Sequence, residues 1–183
     1  IPVIKALRSV ISHPISIDTT RSEVALSAIE AGADLINDIS GATFDPKMLS
    51  TTATLDVPII LMHIRGTPKT MQKLTEYQDL VGEIKQFLEK QIQQALELGV
   101  KHSNLIIDPG IGFAKNAEQN LELIRRLNEF RSLDVPILAG VSRKSFIGQI
   151  IHQNDPKQRV WGTAAACCGA IASGVDILRV HDV

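Results

Sequence analysis

Three short apolar runs close on an acid or an amide: PISID on Asp18, LIND on Asn37 and Asp38, and LIID on Asp108. A carboxylate accepts two parallel hydrogen bonds, so carboxylates beside an amide suit a planar ligand that carries several N–H donors. Other runs close on Met62 and His63, on Ser142, Arg143 and Lys144, and on Arg179 and His181. Lys144, Arg179 and His181 form a cationic group suited to phosphate or a similar anion. Arg179 and His181 flank Val180 at period two and are predicted to share one face of their strand, where unpaired cations would be costly. A bland reading stands beside each residue. Asp18 can cap the next helix with Thr19 and Thr20, Asn37-Asp38 can satisfy a local turn, and Lys144 alone can be a solvated residue entering a helix. Magnesium takes oxygen ligands, but only two carboxylates close these strands, and no HxH or HxxxH pairing points to zinc. His13, His102 and His152 fall in loops or at helix margins and are expected at the surface.

The stretch LIIDPGIGFAKN, ending at Asn116, is weak as a phosphate loop because it lacks GxxxxGK[ST]. Its better use is shape. Pro109 and Gly110 are expected to fix a sharp exit that holds Asp108, and Gly112 to let a flat ligand approach closely.

Behind these residues lies a repeated grammar. Strands are expected at 16–18, 35–38, 58–63, 105–108, 136–144 and 177–181, as continuous apolar runs of the kind buried on both faces of a parallel sheet. Helical patterns separate them. Thr20 with Glu23 reads as a capping box closed by Gly32, and Asp45-Pro46 as a helix start. Leu80, Ile84, Phe87, Leu88, Ile92, Ala95 and Leu96 make one face of a long helix that Gly99 ends. Asn116 caps a helix carrying Leu121, Ile124, Leu127 and Phe130, and the small residues from Gly162 to Ala172 allow close packing on a sheet. This is one domain over 1–183, built of βα units as a TIM-type barrel or an open doubly wound sheet, and both place ligands at the carboxyl ends of strands. A closed barrel needs eight strands, and six are counted. The first residue is Ile1 and IPVIKALRSVI reads as the last turns of a helix, so the first two βα units and the last helix are expected outside this sequence.

Composition narrows the class. The chain has 183 residues, 44% hydrophobic and 21% charged, with net charge −1, which gives neither the basic stripe of a nucleic-acid binder nor an acidic disordered tail. The longest apolar runs are too short to span a bilayer. Cys167 and Cys168 are adjacent and read as small core residues of a reduced, cytoplasmic protein.

In order and spacing, SIDTT, INDISG, LMHIRGTPKTMQ, LIIDPGIGFAKN, GVSRKSFIG and ILRVHDV resemble the dihydropteroate synthase family of pterin-binding enzymes over essentially the whole chain. The resemblance implies an eight-stranded α/β barrel. The implied reaction condenses 6-hydroxymethyl-7,8-dihydropterin pyrophosphate with 4-aminobenzoate, giving 7,8-dihydropteroate and pyrophosphate. It assigns Asp18, Asn37, Met62, Asp108, Lys144 and Arg179 to the pterin, Arg179 and His181 to the pyrophosphate, and Ser142 and Phe113 to the aminobenzoate. It implies Mg²⁺ as cofactor with no ligand among these residues, a homodimer, a cytoplasmic location, no nucleic-acid or membrane partner, and competition by sulfonamides. Lys69 receives no catalytic role. The family often has phenylalanine and glycine where this chain has Ile111 and Ala114. Its first-strand asparagine, its Asp-Ser-Phe loop, the second strand's acid and its Thr-Arg-Pro loop are absent, so weak pterin binding is expected of this stretch alone. Two rivals remain: a methyltetrahydrofolate-dependent methyltransferase barrel, which needs no cluster like SRKS and RVH, and a non-catalytic pterin-binding fragment.

Overall fold

Each of the six apolar runs contains a strand, while several helices begin later than their sequence patterns suggest. The computed structural model describes residues 1–183. In chain order the elements are α1 (Pro2–Arg8), β1 (Ser16–Asp18), α2 (Ser22–Glu30), β2 (Leu35–Asp38), α3 (Met48–Leu55), β3 (Ile59–Met62), α4 (Leu80–Glu97), β4 (Leu105–Asp108), α5 (Ala117–Arg125), β5 (Leu138–Ala139), α6 (Ser145–Ile150), α7 (Val160–Ala172) and β6 (Ile177–Leu178). Two compact units result: Ile1–Met62 with Leu88–Ile106, and His63–Phe87 with Ile107–Val183. No helix is long and apolar enough to cross a membrane.

In the first unit β1, β2 and β3 pair in parallel. All four residues of β3 are buried, as its continuous apolar run predicts. Fully burying each such side chain contributes roughly 1.5–3 kcal/mol before chain entropy is set against it. The register places Asp18 beside Asn37, so two residues far apart in sequence become neighbours on one face. Ile4 of α1 packs with Ala28, Ala31 and Ala33, and Ile15, Ile17 and Ile29 lie against them. The expected capping box at Thr20 does not form. Thr19 Oγ1 instead accepts from Arg21 N at 3.1 Å, and Asp45 Oδ2 accepts from Ser22 N at 2.7 Å, so α2 starts at Ser22. Asp45 also accepts from Lys47 N at 2.9 Å, and this local turn delays α3 to Met48. Gly32, at φ +107, turns the chain out of α2 as expected. Leu96, expected on the buried face of α4, is exposed.

In the second unit the ladder runs through short pairings. His63 N donates to Asp108 O at 2.9 Å, Ile107 N to Pro136 O at 3.0 Å, and Arg179 N to Ala139 O at 3.1 Å. Phe130, Ile107, Leu123, Leu127 and Ile137 are fully buried. Asn116 forms a complete capping box with Gln119, both bonds 2.9 Å, and α5 begins as expected. It ends at Arg125, and Leu127 and Phe130 fall in a 3-10 segment, Leu127–Leu133. The strands expected over 136–144 and 177–181 shrink to β5 and β6, because Ser142 to Lys144 form a turn. At Gly162 of α7 a Cβ would sit 2.4 Å from Ile147 Cγ2, so the small residue permits close approach to α6. The rest of α7 is more open than expected. Trp161 is 83% exposed, and Cys168 is exposed rather than in the core, with Cys167 half-buried.

Candidate active site

Side chains take up many of the polar main-chain groups in the turn after β4. Asp108, nearly fully buried, accepts from Gly110 N at 2.7 Å through Oδ1. Gly110 has φ +74, and a Cβ there would lie 2.0 Å from His63 O, so this position admits only glycine. Gly112 N donates to Asn120 Oδ1 at 2.6 Å, and Tyr77 Oη donates to Ala114 O at 3.1 Å. Lys115 Nζ donates to Gly110 O at 3.0 Å and Phe113 O at 2.9 Å, and lies 3.2 Å from His63 Nδ1. Pro109 and Gly110 therefore hold Asp108 as the sequence suggests. Gly112 serves differently from expectation. Its missing Cβ makes room for the Lys144 stem, whose Cδ would be 2.6 Å away.

Lys144 Nζ bonds to Ile111 O and sits 4.7 Å from the Phe113 ring centroid, a cation–π contact. A Cβ on Gly140 would lie 3.8 Å from Lys144 Nζ and 4.0 Å from Arg179 Cβ, so the Lys144 ammonium and the base of the Arg179 side chain both border that glycine. Burial raises the Asp108 carboxyl above the usual carboxylate range, although Lys144, the Gly110 N–H, Lys115 and Arg179 all oppose the rise. Burial pulls Lys144 down to about 8, against the pull of the Asp108 charge. Lys144 is not the solvated residue of the bland reading.

Ser142 is buried, and its Oγ accepts from His181 N at 3.1 Å and lies 2.9 Å from His181 Nδ1. Nε2 is thus the ring nitrogen not engaged by Ser142. Between Ser142 and Lys144, Arg143 adopts φ +57, a left-handed conformation uncommon for such a residue. It is held by Thr163 Oγ1, which accepts from Arg143 N at 3.0 Å, and by Arg159, which donates to Arg143 O at 2.8 Å. Its guanidinium pairs with Asp182, tying the SRK turn to the segment that carries Arg179 and His181. Arg179 and His181 do not share a strand face, because β6 stops at Leu178, and both are exposed, so the burial cost expected for them does not arise.

In the first unit Asn37 Nδ2 donates to Asp18 Oδ1 at 2.7 Å, a better-defined role for Asp18 than capping. Asn37 and Met62 are buried and Asp18 is exposed. Asp38 points elsewhere and organises its own turn. Its Oδ1 accepts from Ser40 N at 2.8 Å and Ser40 Oγ at 2.6 Å, and burial raises its carboxyl. His63 is no rim residue. It is buried, edge-on to Phe87 at 5.0 Å, and burial with Lys115 nearby lowers it to about 2. The three loop histidines are exposed, as expected. Lys115, Asn120, Thr163, Arg159 and Asp182 were not legible as site residues, since each acts on main-chain groups or on another site side chain. No three His, Cys, Asp or Glu side chains gather where they could hold a metal ion.

The family described as "Pterin binding enzyme" matches residues 1–181. The dihydropteroate synthase of Synechocystis sp. is 61% identical over 183 residues, covering 100% of this chain and 63% of its own length. The crystal structure of dihydropteroate synthase from Stenotrophomonas maltophilia with active site-bound imidazole is 41% identical with TM-score 0.96, over 100% of this chain and 68% of that one. Dihydropteroate synthase from Xanthomonas albilineans in complex with 7,8-dihydropteroate is 40% identical with TM-score 0.93, over 100% of this chain and 66% of that one. The chain thus spans about 63% of the length of the Synechocystis relative. Its fold class is α/β with parallel strands, of the TIM-type barrel kind expected from the sequence.

Proposed function

Because the chain belongs to the pterin-binding enzyme family, we propose that it carries substrate-binding machinery of a dihydropteroate synthase. The reaction would join 6-hydroxymethyl-7,8-dihydropterin pyrophosphate to 4-aminobenzoate, releasing pyrophosphate. The observation that carries this reading is the cluster in the second unit: a buried carboxyl, Asp108, within electrostatic reach of Lys144 and Arg179, with His181 held by Ser142. A carboxylate there accepts N–H donors of a pterin edge, Lys144 donates to a ring carbonyl and nitrogen, and Arg179 with His181 Nε2 receives the diphosphate. Asp18, Asn37 and Met62 are assigned to the pterin from the family resemblance. Phe113 and Ser142 would border the aminobenzoate.

The bond from the pterin's methylene carbon to the diphosphate oxygen breaks, and the electron pair leaves with the diphosphate. Carboxylate charge stabilises the pterin cation, and the cationic pair stabilises the leaving group. The amine of 4-aminobenzoate attacks that carbon and then gives up a proton. No residue serves as a covalent nucleophile. Mg²⁺ would accompany the diphosphate as its counter-ion, and none of the chain's residues is assigned to it.

Two further expectations belong to this reading. A homodimer is supported by apolar surface at Trp161, Ile150 and Ile171 and by the adjoining cavity of about 310 Å³ among α5, α6 and α7. A reduced cytoplasmic setting suits two free cysteines. The test is dihydropteroate formation by the full-length protein, with Lys144→Ala and Arg179→Ala each expected to abolish it while the circular dichroism spectrum is unchanged. Sulfonamides should compete with 4-aminobenzoate. A protein that binds the pterin but neither pyrophosphate nor sulfonamide would point to the methyltransferase barrel.

A further inference from the structure

Lys115 is a buried ionisable side chain that the proposed reaction leaves without a task. It is 2% exposed; its Nζ donates to two carbonyls of the Asp108 turn and lies within hydrogen-bond distance of the His63 ring. Burying a cation is costly without an opposing charge, and Asp108 is the anion that favours its charged form. A clamp that only shaped the turn could be built from neutral donors.

We infer that Lys115 is a positioning residue for the proposed reaction: its ammonium locks the turn from Gly110 to Phe113 and supplies positive charge against which the Asp108 carboxylate is held. The inference rests on the assignment of Asp108 to the pterin. Three substrate-facing groups depend on this lock. Gly110 N holds the Asp108 carboxyl, Ile111 O holds Lys144, and the Phe113 carbonyl is fixed while its ring faces Lys144 Nζ. The charged and titratable groups around the lysine are Asp108, Lys144, Arg65 and His63. Burial pushes Asp108 toward its neutral form, and Lys115 is one of the cations that resist this. Removing the ammonium makes Asp108 easier to protonate, and a neutral carboxyl gives up one of the acceptor positions a pterin needs.

The test compares kcat/KM against pH for the full-length wild type, Lys115→Met and Lys115→Arg. In Lys115→Met the acidic limb is expected to move up by about one pH unit. Its KM for the pterin substrate should rise about tenfold. Lys115→Arg keeps the charge, so its limb should stay at the wild-type position even where its turnover falls. A Lys115→Met limb that coincides with that of the wild type overturns the inference. Should Lys115→Met not fold, Lys115→Gln replaces it with the same expected shift. The ¹³C carboxyl resonance of Asp108, titrated in wild type and Lys115→Gln, gives the same decision without turnover. If wild type makes no dihydropteroate yet that resonance shifts as stated, the reaction assignment fails while the hold of Lys115 on the Asp108 carboxylate stands.

Discussion

One methyl group at Gly112 should cost far more activity than stability. Gly112 has φ +84, and a left-handed backbone costs a residue with a Cβ about 1–2 kcal/mol. The added carbon would sit 2.6 Å from Lys144 Cδ and 3.3 Å from Cε. Ordinary carbon–carbon contact requires the gap to widen by about 1 Å. The turn cannot yield easily, since Gly112 N is held by Asn120 Oδ1 at 2.6 Å and Lys115 braces both flanks. The lysine stem moves instead, and its ammonium leaves Ile111 O and the Phe113 ring. A displacement of about 1 Å in a group that orients substrate can cost roughly 100-fold in rate, close to 3 kcal/mol of barrier. Gly112→Ala should therefore lose about 1–2 kcal/mol in urea denaturation and about 100-fold in kcat/KM for the pterin pyrophosphate. Gly99→Ala is the control. Gly99 has φ +90, but a Cβ there meets only Ala53 Cβ at 3.9 Å. It should show the backbone strain with normal activity. Turnover of Gly112→Ala within about threefold of wild type, or equal losses in the two variants, would refute the argument.

Three other outcomes are expected. His63, lowered to about 2, and Lys115, lowered to about 7, are both easier to protonate once unfolded, so stability should rise from mildly acid pH toward about pH 10; a maximum near neutrality in pH-dependent urea melts would contradict this. Gly140→Ala adds a methyl at ordinary contact distance from Lys144 Nζ and Arg179 Cβ, so it should fold with wild-type stability yet weaken pterin pyrophosphate binding about tenfold or more by calorimetry. Phe130→Ala removes a fully buried ring and should cost about 3–5 kcal/mol by chemical denaturation.

The strand-end residues were legible because a parallel α/β sheet presents the carboxyl ends of its strands on one side. The apolar run before Asp108 is enough to mark it, and the in-register pairing of β1 with β2 sets Asp18 beside Asn37, two of the three residues the sequence collected as one group. The later strands were harder. PILAGVSRK looks like one long strand, yet only Leu138–Ala139 pairs regularly, because Arg143 turns left-handed and carries Ser142 and Lys144 out of the sheet. No propensity rule foretells a left-handed arginine, since its support comes from Thr163 and Arg159, 20 and 16 residues later. Helix starts slipped for a similar reason. Asp45 was read as the start of its own helix, and it is spent partly on Ser22 N at the start of another. Lys115 gave no signal, because a lysine two residues past a glycine-rich turn ordinarily faces water.

The residues that sequence reading missed share a property that bears on mechanism. Asp108, Lys144 and His181 carry the proposed chemistry, but each takes its orientation from a group of another kind: a glycine N–H, an isoleucine carbonyl, a serine hydroxyl. The turns that carry those groups are braced at neighbouring main-chain atoms, at Gly110 O by Lys115, at Gly112 N by Asn120, and at Arg143 by Thr163 and Arg159. Stabilising a cation and a departing diphosphate requires opposite charges kept close without collapsing onto each other. A long lysine on a mobile loop would close directly on the carboxylate. Here Lys144 is committed to a main-chain carbonyl and braced by Gly112, so its charge and that of Asp108 remain separate partners for a ligand. That division holds only while the turn is stiff, so its glycines and its buried lysine bear on the proposed reaction through the groups that would touch the substrate.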